Sequence, residues 1–274
     1  VHFTVHTDPA TTVEPDTLRI QERLSEAMRS WDDLMVEAIL AERRERAGDG
    51  KAVTFAGEES ATEQAQRYAT VFPEAYKEDF DAESALRDLR MLESLDGRGD
   101  VRMSFYLPPD AAPGERRFKL YTQGDGVTLS TMLPLLQRMG VEVVDERPYE
   151  LSREDGARLW IYDFGLRIDP DVLAAVESED DLQVRFQDAF AAEWRGDAEV
   201  DGFNALVLRA GLDWRQVSVL RAYARYLRQA GSPYSQDYIE TTVLAHTDIA
   251  TALVRLFETR FGADDAHRED RAGE

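Results

Sequence analysis

Cysteine is absent from this chain of 274 residues, and lysine occurs only at positions 51, 77 and 119. Without cysteine there is no disulfide, no thiol catalysis and no thiolate metal site, and we expect a protein of the reducing cytoplasm. So few lysines leave little choice for a catalytic lysine. The chain also lacks an apolar run of membrane-spanning length and an opening signal segment, which argues against a membrane location.

Positive charge is the second shortage, because 32 lysines and arginines stand against 54 aspartates and glutamates, for a formal net charge of −22. Such an acidic surface repels phosphate backbones and anionic lipid headgroups, so we expect no nucleic-acid partner and no membrane partner. The length is ample for a sizeable core and predicts one to three domains. The chain opens at Val1 in the middle of an alternating pattern, and we expect it to be a piece of a longer polypeptide.

Alternation of apolar and polar residues predicts two successive strands in the middle of the chain. In the first, at 101–107, one face carries Val101, Met103, Phe105 and Leu107. In the second, Phe118 and Leu120 share one face, and the opposite face carries Arg117, Lys119 and Tyr121. Because a parallel sheet covered on both faces has near-continuous apolar strands, the charged face predicts an antiparallel sheet that is open to water on one side.

A helix is predicted to follow the second strand after a glycine turn, with Thr128 or Ser130 as its cap. Pro134 fits only within the first turn, where its missing N–H has no partner in any case, so we place the helix start near Thr131. Gly140 ends the helix as a C′ glycine. The apolar residues at helical spacing are Leu129, Leu133, Leu136 and Met139.

A third strand is predicted from Val141, and a fourth at 157–167 follows a hairpin signal at Asp155–Gly156. A helix from Asp181 to Trp194 closes the unit, because its apolar residues fall on one face. The predicted order is ββαββα. This order predicts an α+β fold, a ferredoxin-like antiparallel sheet with helices on one face, in which the strand at 101–107 takes the place of the usual last strand.

Both flanks of this unit are predicted to be helical. Before it, a short strand at 2–6 precedes helices predicted at 16–47 and 58–72 and a helix capped by Asp81. After it, the predicted helices are 203–209, 214–229, 235–244 and 247–261. The predicted domains are therefore a mostly helical module at 1–98, an α+β domain at 99–198 and a second helical module at 199–274.

Two features of the flanking helices each allow two interpretations. The first helix has an apolar stripe that could pack inside its own domain or bind a partner helix: Leu24, Met28, Trp31, Met35 and Ala38. The helix at 214–229 has an arginine cluster that could pair with the chain's own carboxylates or dock another domain: Arg215, Arg221, Arg225 and Arg228. Its apolar face is predicted to comprise Val217, Leu220, Tyr223, Ala224 and Leu227.

The segment Gly124–Asp125–Gly126 is the strongest candidate for a ligand site, because it follows a strand and opens a helix. With Asp145 at the end of the next strand, it imitates a dinucleotide-binding fingerprint. Leu129 replaces the third glycine, the preceding strand is charged on one face, and Pro134 pushes the helix start away from a pyrophosphate. These departures argue against nucleotide binding, which is kept as an alternative.

No other cluster predicts chemistry. His2 and His6 lie on one strand face but are too far apart for an easy chelate without a third ligand, so no metal site is predicted. Acidic pairs such as Asp32–Asp33, Glu58–Glu59 and Asp180–Asp181 fit helix starts and solvated faces. The chain has no nucleophile elbow, phosphate loop or His-Glu-x-x-His motif, and we predict no catalytic residue in it.

Several long strings resemble the large bacterial NAD-specific glutamate dehydrogenases: Phe72–Phe80, Met139–Tyr149, Trp160–Gly165, Phe203–Arg215 and Leu220–Gly231. The resemblance extends from about Trp31 to Phe261. Those enzymes carry an N-terminal region of ACT-like domains and helical motifs ahead of a catalytic dehydrogenase domain. The resemblance therefore implies that this chain is the last ACT-like domain with its flanking helices, and that the catalytic domain begins after Phe261.

The resemblance implies a parent reaction, the oxidative deamination of L-glutamate to 2-oxoglutarate and ammonium with NAD, but no cofactor in this segment. It also implies partners, namely the other domains and subunits of a homo-oligomeric parent. Regulatory amino acids can bind ACT domains at the first strand-to-helix loop. The residues in similar places here are Gly124, Asp125, Gly126, Thr128 and Leu129, with Asp125 expected to hold the ligand's ammonium group.

The ACT resemblance has one departure, because the usual proline before the glycine is absent. Its absence favours a structural spacer without a ligand, whereas the glycine-bounded loop favours a site. Three hypotheses therefore stand at this point: a regulatory and assembly segment, a spacer, and an autonomous dinucleotide-binding enzyme domain.

Overall fold

The computed structural model describes residues 29–47, 63, 68, 71–152, 156–176 and 178–261. The chain divides into two compact units, Val1–Arg90 and Met91–Glu274. The strand predicted at 2–6, Asp155 of the hairpin signal and nearly all of the helix predicted at 58–72 lie outside the described residues. Within the described ranges, every helix is too short or too polar to cross a membrane.

The first unit contains α1 (Trp31–Ala47) and α2 (Glu74–Asp79), and α3 (Ala82–Glu93) begins in it. The α1 stripe packs inside its own unit at Trp31, whose ring contacts Phe72 at 5.7 Å between centroids and whose Nε1 donates to the carbonyl of Phe80 at 3.2 Å. Met35 is fully buried, whereas Leu24 and Met28 lie outside the described residues. The described part of the stripe therefore supports internal packing.

The start of α3 is set as predicted, because Asp81 Oδ1 accepts a hydrogen bond from the Ser84 N–H at 2.8 Å. Aromatic stacking supports α2, since Tyr76 lies 4.6 Å from Phe72 and 4.8 Å from Phe80 between ring centroids. The buried Tyr76 hydroxyl donates to Asp88 Oδ2 at 2.5 Å, which ties α2 to α3.

The second unit is built on a four-stranded sheet in the order β1-β2-β4-β3, in which every neighbouring pair is antiparallel. The strands are β1 (Val101–Tyr106), β2 (Glu115–Gln123), β3 (Glu142–Ser152) and β4 (Arg158–Arg167). The edge strand β1 lies beside β2, where a ferredoxin-like sheet has its last strand. The predicted α+β fold and the unusual first strand are both confirmed.

Two helices pack on the inner face of this sheet, α4 (Leu129–Arg138) and α6 (Glu179–Arg195). Phenylalanines form the centre of the contact, with Phe105 4.4 Å from Phe186 and Phe118 4.8 Å from Phe190 between ring centroids. Ser178 caps α6, accepting from the Asp181 N–H at 3.2 Å. A short helix, α5 (Pro170–Ala174), precedes it and was not predicted.

The predicted start of α4 near Thr131 is wrong. The helix begins at Leu129 and Pro134 lies inside it, beyond the first turn. Pro134 is exposed, so the hydrogen bond lost to proline falls on the solvent side of the helix. The residues that α4 buries are Met132 and Leu136, and Leu129 is 40% exposed rather than on the buried face.

The prediction that the outer face of the sheet is open to water is also wrong at its centre. Lys119, Tyr121 and Asp163 point to that face, and all three are buried, with Asp163 at 0% exposure. Arg117 Nε donates to Asp163 Oδ2 at 2.9 Å, so the buried carboxylate is paired. Alternation reveals which residues share a face but not what covers it. Leu107, predicted on the inner face of β1, lies beyond the strand and is 52% exposed.

The C-terminal helices follow the predicted boundaries closely. A 3₁₀ turn (Gly202–Ala205) leads into α7 (Leu206–Arg209), and the remaining helices are α8 (Trp214–Gln229), α9 (Gln236–Ala245) and α10 (Thr247–Phe261). A capping box of Asp213 and Gln216 fixes the start of α8. The predicted apolar face of α8 is buried at Val217, Leu220 and Ala224 but exposed at Tyr223 and Leu227.

Candidate functional site

The loop between β2 and α4, residues 124–128, is tied to strand β4 by its backbone. The Gly124 N–H donates to the carbonyl of Arg158 at 2.9 Å, and Trp160 Nε1 donates to the carbonyl of Gly124 at 3.1 Å. Gly124 has a φ of +109°, a conformation that favours glycine. The turn is therefore a fixed extension of the sheet.

Gly126 sits directly against two stacked aromatic rings of β4. A Cβ at this position would lie 2.8 Å from Tyr162 Oη and 3.2 Å from Trp160 Cε2, so only glycine fits without movement. The two rings are 5.7 Å apart between centroids at an interplanar angle of 11°, and Tyr162 Oη accepts from the Val127 N–H at 2.7 Å. Trp160 and Tyr162 thus form the floor of the loop.

Tyr162 stays a neutral phenol beneath the loop. Burial raises the pKa of its hydroxyl above the ordinary value, the hydrogen bond from the Val127 N–H acts in the opposite direction, and the charges of Glu146 and Glu150 raise the pKa further. A neutral hydroxyl that accepts from the backbone holds the loop without adding negative charge next to it.

Asp125 already has a partner. Its Oδ1 accepts from Arg158 Nη2 at 2.8 Å, and both side chains are well exposed, Asp125 at 79%. An exposed pair of this kind stabilises by about 0–1 kcal/mol, so a ligand can replace Arg158 at little cost. The Asp125 carboxylate is therefore accessible from solvent, and the Arg158 guanidinium lies beside it.

The start of α4 presents backbone donors that the N-cap side chain does not use. Thr128 makes no side-chain cap, and its Oγ1 instead lies 3.0 Å from Ser130 Oγ and 2.9 Å from Thr131 Oγ1. The positive end of the helix dipole adds to the attraction for an anion here. The five predicted residues, 124–126, 128 and 129, all lie in this one loop and helix start.

Sequence reasoning missed the β4 side chains that shape the loop, namely Arg158, Trp160 and Tyr162. Their alternation placed Trp160 and Tyr162 on one face of a strand, but the register that puts β4 beside β2 became visible only in the folded sheet. With the pairing Thr122↔Trp160, the aromatic rings come under the glycine turn. Strand order therefore decides which side chains line this site.

The sheet topology argues against a dinucleotide site at this loop. A Rossmann unit joins neighbouring parallel strands through its helix, whereas here β4 lies between β2 and β3 and runs antiparallel to both. Asp145, considered as a ribose-binding acid, accepts from Arg117 Nη2 at 2.9 Å instead. The loop lacks both the strand arrangement and the acidic residue that such a site requires.

A second polar cluster, which we call the Arg221 network, lies between α6 and α8 and was not predicted. It comprises Glu193, Asp201, Asn204 and Arg221. Arg221 donates through Nε to Asp201 Oδ2 at 2.6 Å and through Nη2 to Asn204 Oδ1 at 2.5 Å. Asn204 Nδ2 donates to Glu193 Oε1, so the network links the last turns of α6 to α8. Glu193, Asn204 and Arg221 are all buried.

Glu193 is the unusual member of this network. The residue is 6% exposed, and Oε2 is buried without a hydrogen-bond partner in the described part of the chain. Burial raises its pKa to about 8, although the hydrogen bond from Asn204 and the charge of Arg221 lower it and Asp201 raises it. Burial in this network therefore favours the protonated form of Glu193.

The arginine cluster of α8 pairs largely with nearby groups of the chain. Arg221 pairs with Asp201, Arg225 Nη1 donates to Glu199 Oε1 at 2.7 Å, and Arg215 stacks 4.2 Å from the centroid of the Trp214 ring. Of the two interpretations, pairing with the chain's own carboxylates is confirmed for Arg221 and Arg225. Arg228 is exposed.

Metal ligands do not come together in the described residues. No group of three or more histidine, aspartate or glutamate side chains is placed to hold a metal ion in the ranges that the structure describes. His246 is exposed at the end of α9, whereas His2 and His6 lie outside those ranges.

Three family models match the chain in sequence order. Residues 53–95 match "Glutamate dehydrogenase, helical motif 2", residues 100–180 match "Glutamate dehydrogenase, ACT3 domain", and residues 198–263 match "Glutamate dehydrogenase, helical motif 3". The ACT3 match contains the whole sheet, the loop at 124–128 and α4.

Similar proteins carry the name NAD-specific glutamate dehydrogenase. The chain is 38% identical to that of Halomonas elongata over 256 residues and to that of Pseudomonas aeruginosa over 267 residues. It is also 38% identical to that of Mycobacterium tuberculosis over 255 residues. These alignments cover 93%, 95% and 92% of this chain, but the chain spans only 15% of each relative.

Proposed function

We propose that this chain, which belongs to the large NAD-specific glutamate dehydrogenases, regulates and assembles its parent enzyme. It corresponds to helical motif 2, the ACT3 domain and helical motif 3 of those enzymes. The segment itself is non-catalytic. The observation that carries this proposal is that the three motifs follow one another in the chain, with the ACT sheet in the middle one. The helical motifs that precede and follow that sheet in the sequence would transmit a change in it to neighbouring domains.

The parent reaction that we propose is the oxidative deamination of L-glutamate to 2-oxoglutarate and ammonium with NAD. NAD would bind another part of the parent, since the loop at 124–128 lacks the strand arrangement of a dinucleotide site. We further propose a cytoplasmic homo-oligomer whose other domains and subunits are the partners of this segment.

The loop and the start of α4 form, in this proposal, the regulatory site for an amino acid. The ligand carboxylate would accept from backbone N–H groups in the first turn of α4, and Asp125 would hold the ammonium group in place of Arg158. Gly124 and Gly126 let the backbone lie close to the rings of Trp160 and Tyr162, which would form the floor under the ligand.

Calorimetric titration of the 274-residue chain with the standard amino acids tests this site. We expect one of them to bind, and Asp125→Ala to weaken that binding at least about tenfold, a loss of about 1.4 kcal/mol. The matched control is Asp110→Ala, which removes an exposed aspartate from another loop. Equal affinity in the Asp125 and Asp110 variants would remove Asp125 from the site.

The same experiment separates the two rival functions. Micromolar binding of NAD or NADH would support an autonomous dinucleotide domain. Absence of binding for every amino acid, together with unaltered regulation of the full-length enzyme carrying Asp125→Ala, would leave the segment as a structural spacer.

A further inference from the structure

Three arginines line one cleft in the second unit, and none of them belongs to the loop at 124–128 or to the Arg221 network. The cleft has a volume of about 750 Å³ and lies among α5, α6, α7 and α10. Arg185 comes from α6, Arg209 from the end of α7 and Arg255 from α10. It therefore joins the helix that packs on the ACT sheet to the helices of helical motif 3.

These arginines differ from many others in the described part of the chain by having no counter-ion there. None of the three forms an ion pair or a side-chain hydrogen bond with any residue in the part of the chain that the structure describes. Elsewhere, carboxylates pair with arginines that include Arg116, Arg117, Arg158, Arg167, Arg195, Arg221 and Arg225. In a chain with a net charge of −22, three unpaired cations around one cleft call for an explanation.

Arg185 is partly buried, and one of its donors is unused. Its Nε is buried and makes no hydrogen bond within the described residues. Its Nη2 would lie 4.0 Å from a Cβ at Gly211, which places the guanidinium beside the turn that follows Arg209. A guanidinium that is partly desolvated and lacks a partner is unfavourable unless an anion binds it, and two further arginines line the same cleft.

The remainder of the lining suits a small polar ligand. Hydroxyls come from Ser178, Thr247 and Thr251, and the apolar part of the wall comes from Val172, Val176 and Leu208. Asp181 and Asp248 also line the cleft and offset part of the charge, but the three arginines outnumber them. The first turn of α10, at Thr247 and Asp248, adds the positive end of a helix dipole.

We propose that this cleft binds a small polyanion, a ligand with two or more carboxylate or phosphate groups. Arginine forks bind both groups through paired N–H donors, and the volume lies within the usual range for small-ligand sites. The acidic chain repels anions at long range, so recognition would depend on the local donors rather than on general attraction. The site is separate from the loop at 124–128 and does not depend on the function proposed for it.

The test is calorimetric titration of the 274-residue chain with three probes: citrate, inorganic pyrophosphate and ATP. We expect saturable binding of at least one probe, weakened as sodium chloride is added. Tighter binding of citrate would assign the site to polycarboxylates, and tighter binding of pyrophosphate or ATP would assign it to phosphates. Absence of saturable binding by all three at about 10 mM, a level at which even weak sites fill, would overturn the proposal.

Variants then locate the binding. Arg209→Gln and Arg255→Gln change exposed side chains, so both proteins should fold, and each should weaken probe binding about tenfold or more, as expected for one lost charge-assisted hydrogen bond. Arg228→Gln is the matched control, because it removes an exposed arginine from α8, outside the cleft. Equal weakening by the control and the two cleft variants would mean a general charge effect and would also overturn the proposal.

Discussion

The loop at 124–128 and the Arg221 network are both polar clusters, yet they differ in what their side chains do. In the network, buried groups bind one another, and Arg221 donates to both Asp201 and Asn204. In the loop, the backbone is fixed by aromatic rings, while the charged side chains of Asp125 and Arg158 are exposed and make one replaceable pair. The first arrangement resists exchange of partners, and the second permits it.

This difference teaches how a structural cluster can be told from a recognition site. Buried polar groups that lose a partner leave a desolvated charge or donor, which costs several kcal/mol. Exposed pairs exchange a side-chain partner for a ligand at about 0–1 kcal/mol. We therefore expect substitutions in the network to change stability, and substitutions in the loop to change binding.

The largest effect is expected from Arg221→Ala, which leaves Asp201 and Asn204 without their main donor. Removing one partner of a buried pair should lower the free energy of unfolding by about 3–5 kcal/mol, measured by urea denaturation. The control is Arg225→Ala on the same helix, whose exposed pair with Glu199 should contribute less than about 1 kcal/mol. Similar losses in both variants would show that burial does not distinguish the pairs of Arg221 and Arg225 in stability.

Glu193→Gln should stabilise the protein at alkaline pH. The folded pKa, about 8, lies above the ordinary value of 4.5, so folding favours the protonated form. The stability contributed by this proton is fully present below about pH 4.5 and is lost as pH rises through about 8. Glutamine cannot ionise, so the variant should exceed the parent by about 1–3 kcal/mol near pH 9 and match it near pH 4.

Urea denaturation of parent and variant across that pH range measures this difference. The carboxylates that both proteins share contribute equally to the pH dependence of stability, so their contributions cancel in this difference. A constant difference between about pH 4 and pH 9 would show that Glu193 does not titrate with a raised pKa.

Gly126→Ala should disturb the floor of the loop. The new Cβ would approach Tyr162 Oη at 2.8 Å and Trp160 Cε2 at 3.2 Å, and relieving this overlap should cost about 1–3 kcal/mol of unfolding free energy. Because Tyr162→Phe removes the closest atom, Gly126→Ala should cost less in that background, as a double-mutant cycle would measure. If the losses of unfolding free energy from Gly126→Ala and Tyr162→Phe simply add, the loop relieves the overlap by shifting its backbone away from the Tyr162 ring.

Asp125→Ala should change stability least, by about 0.5 kcal/mol or less, because its pair with Arg158 is exposed. Thermal unfolding of this variant beside Asp110→Ala checks that figure. A loss as large as that of Gly126→Ala would show that the pair supports the loop, and would make Asp125 a structural residue rather than an accessible one.

Local sequence patterns predicted closely which segments form helices and which form strands. The helices at 214–229 and 247–261 were predicted to the residue, because capping side chains and helical spacing are local in the chain. Pro134 shows the limit of a local rule, since the helix tolerates it beyond the first turn on an exposed side. Lys119 and Asp163 show a second limit, since charges on a strand were taken to face water and are instead buried, with Asp163 paired to Arg117.

The loop residues of the candidate site were predictable, because glycine spacing and a following helix are written in sequence order. The aromatic floor was not, because Trp160 lies more than thirty positions along the chain from Gly124, to which it donates. The arginine cleft was even harder to predict from the sequence, since Arg185, Arg209 and Arg255 come from three helices.

The sequence by itself determined the order of helices and strands, the antiparallel character of the sheet and the family of the chain, because periodicity, capping and long matched strings are properties of neighbouring residues. Only the tertiary structure decided that the outer face of the sheet is buried at its centre, which carboxyl has a raised pKa and which arginines in the described ranges have no partner there. Those outcomes depend on burial and on distances between residues far apart in sequence, and burial sets the cost of every polar group.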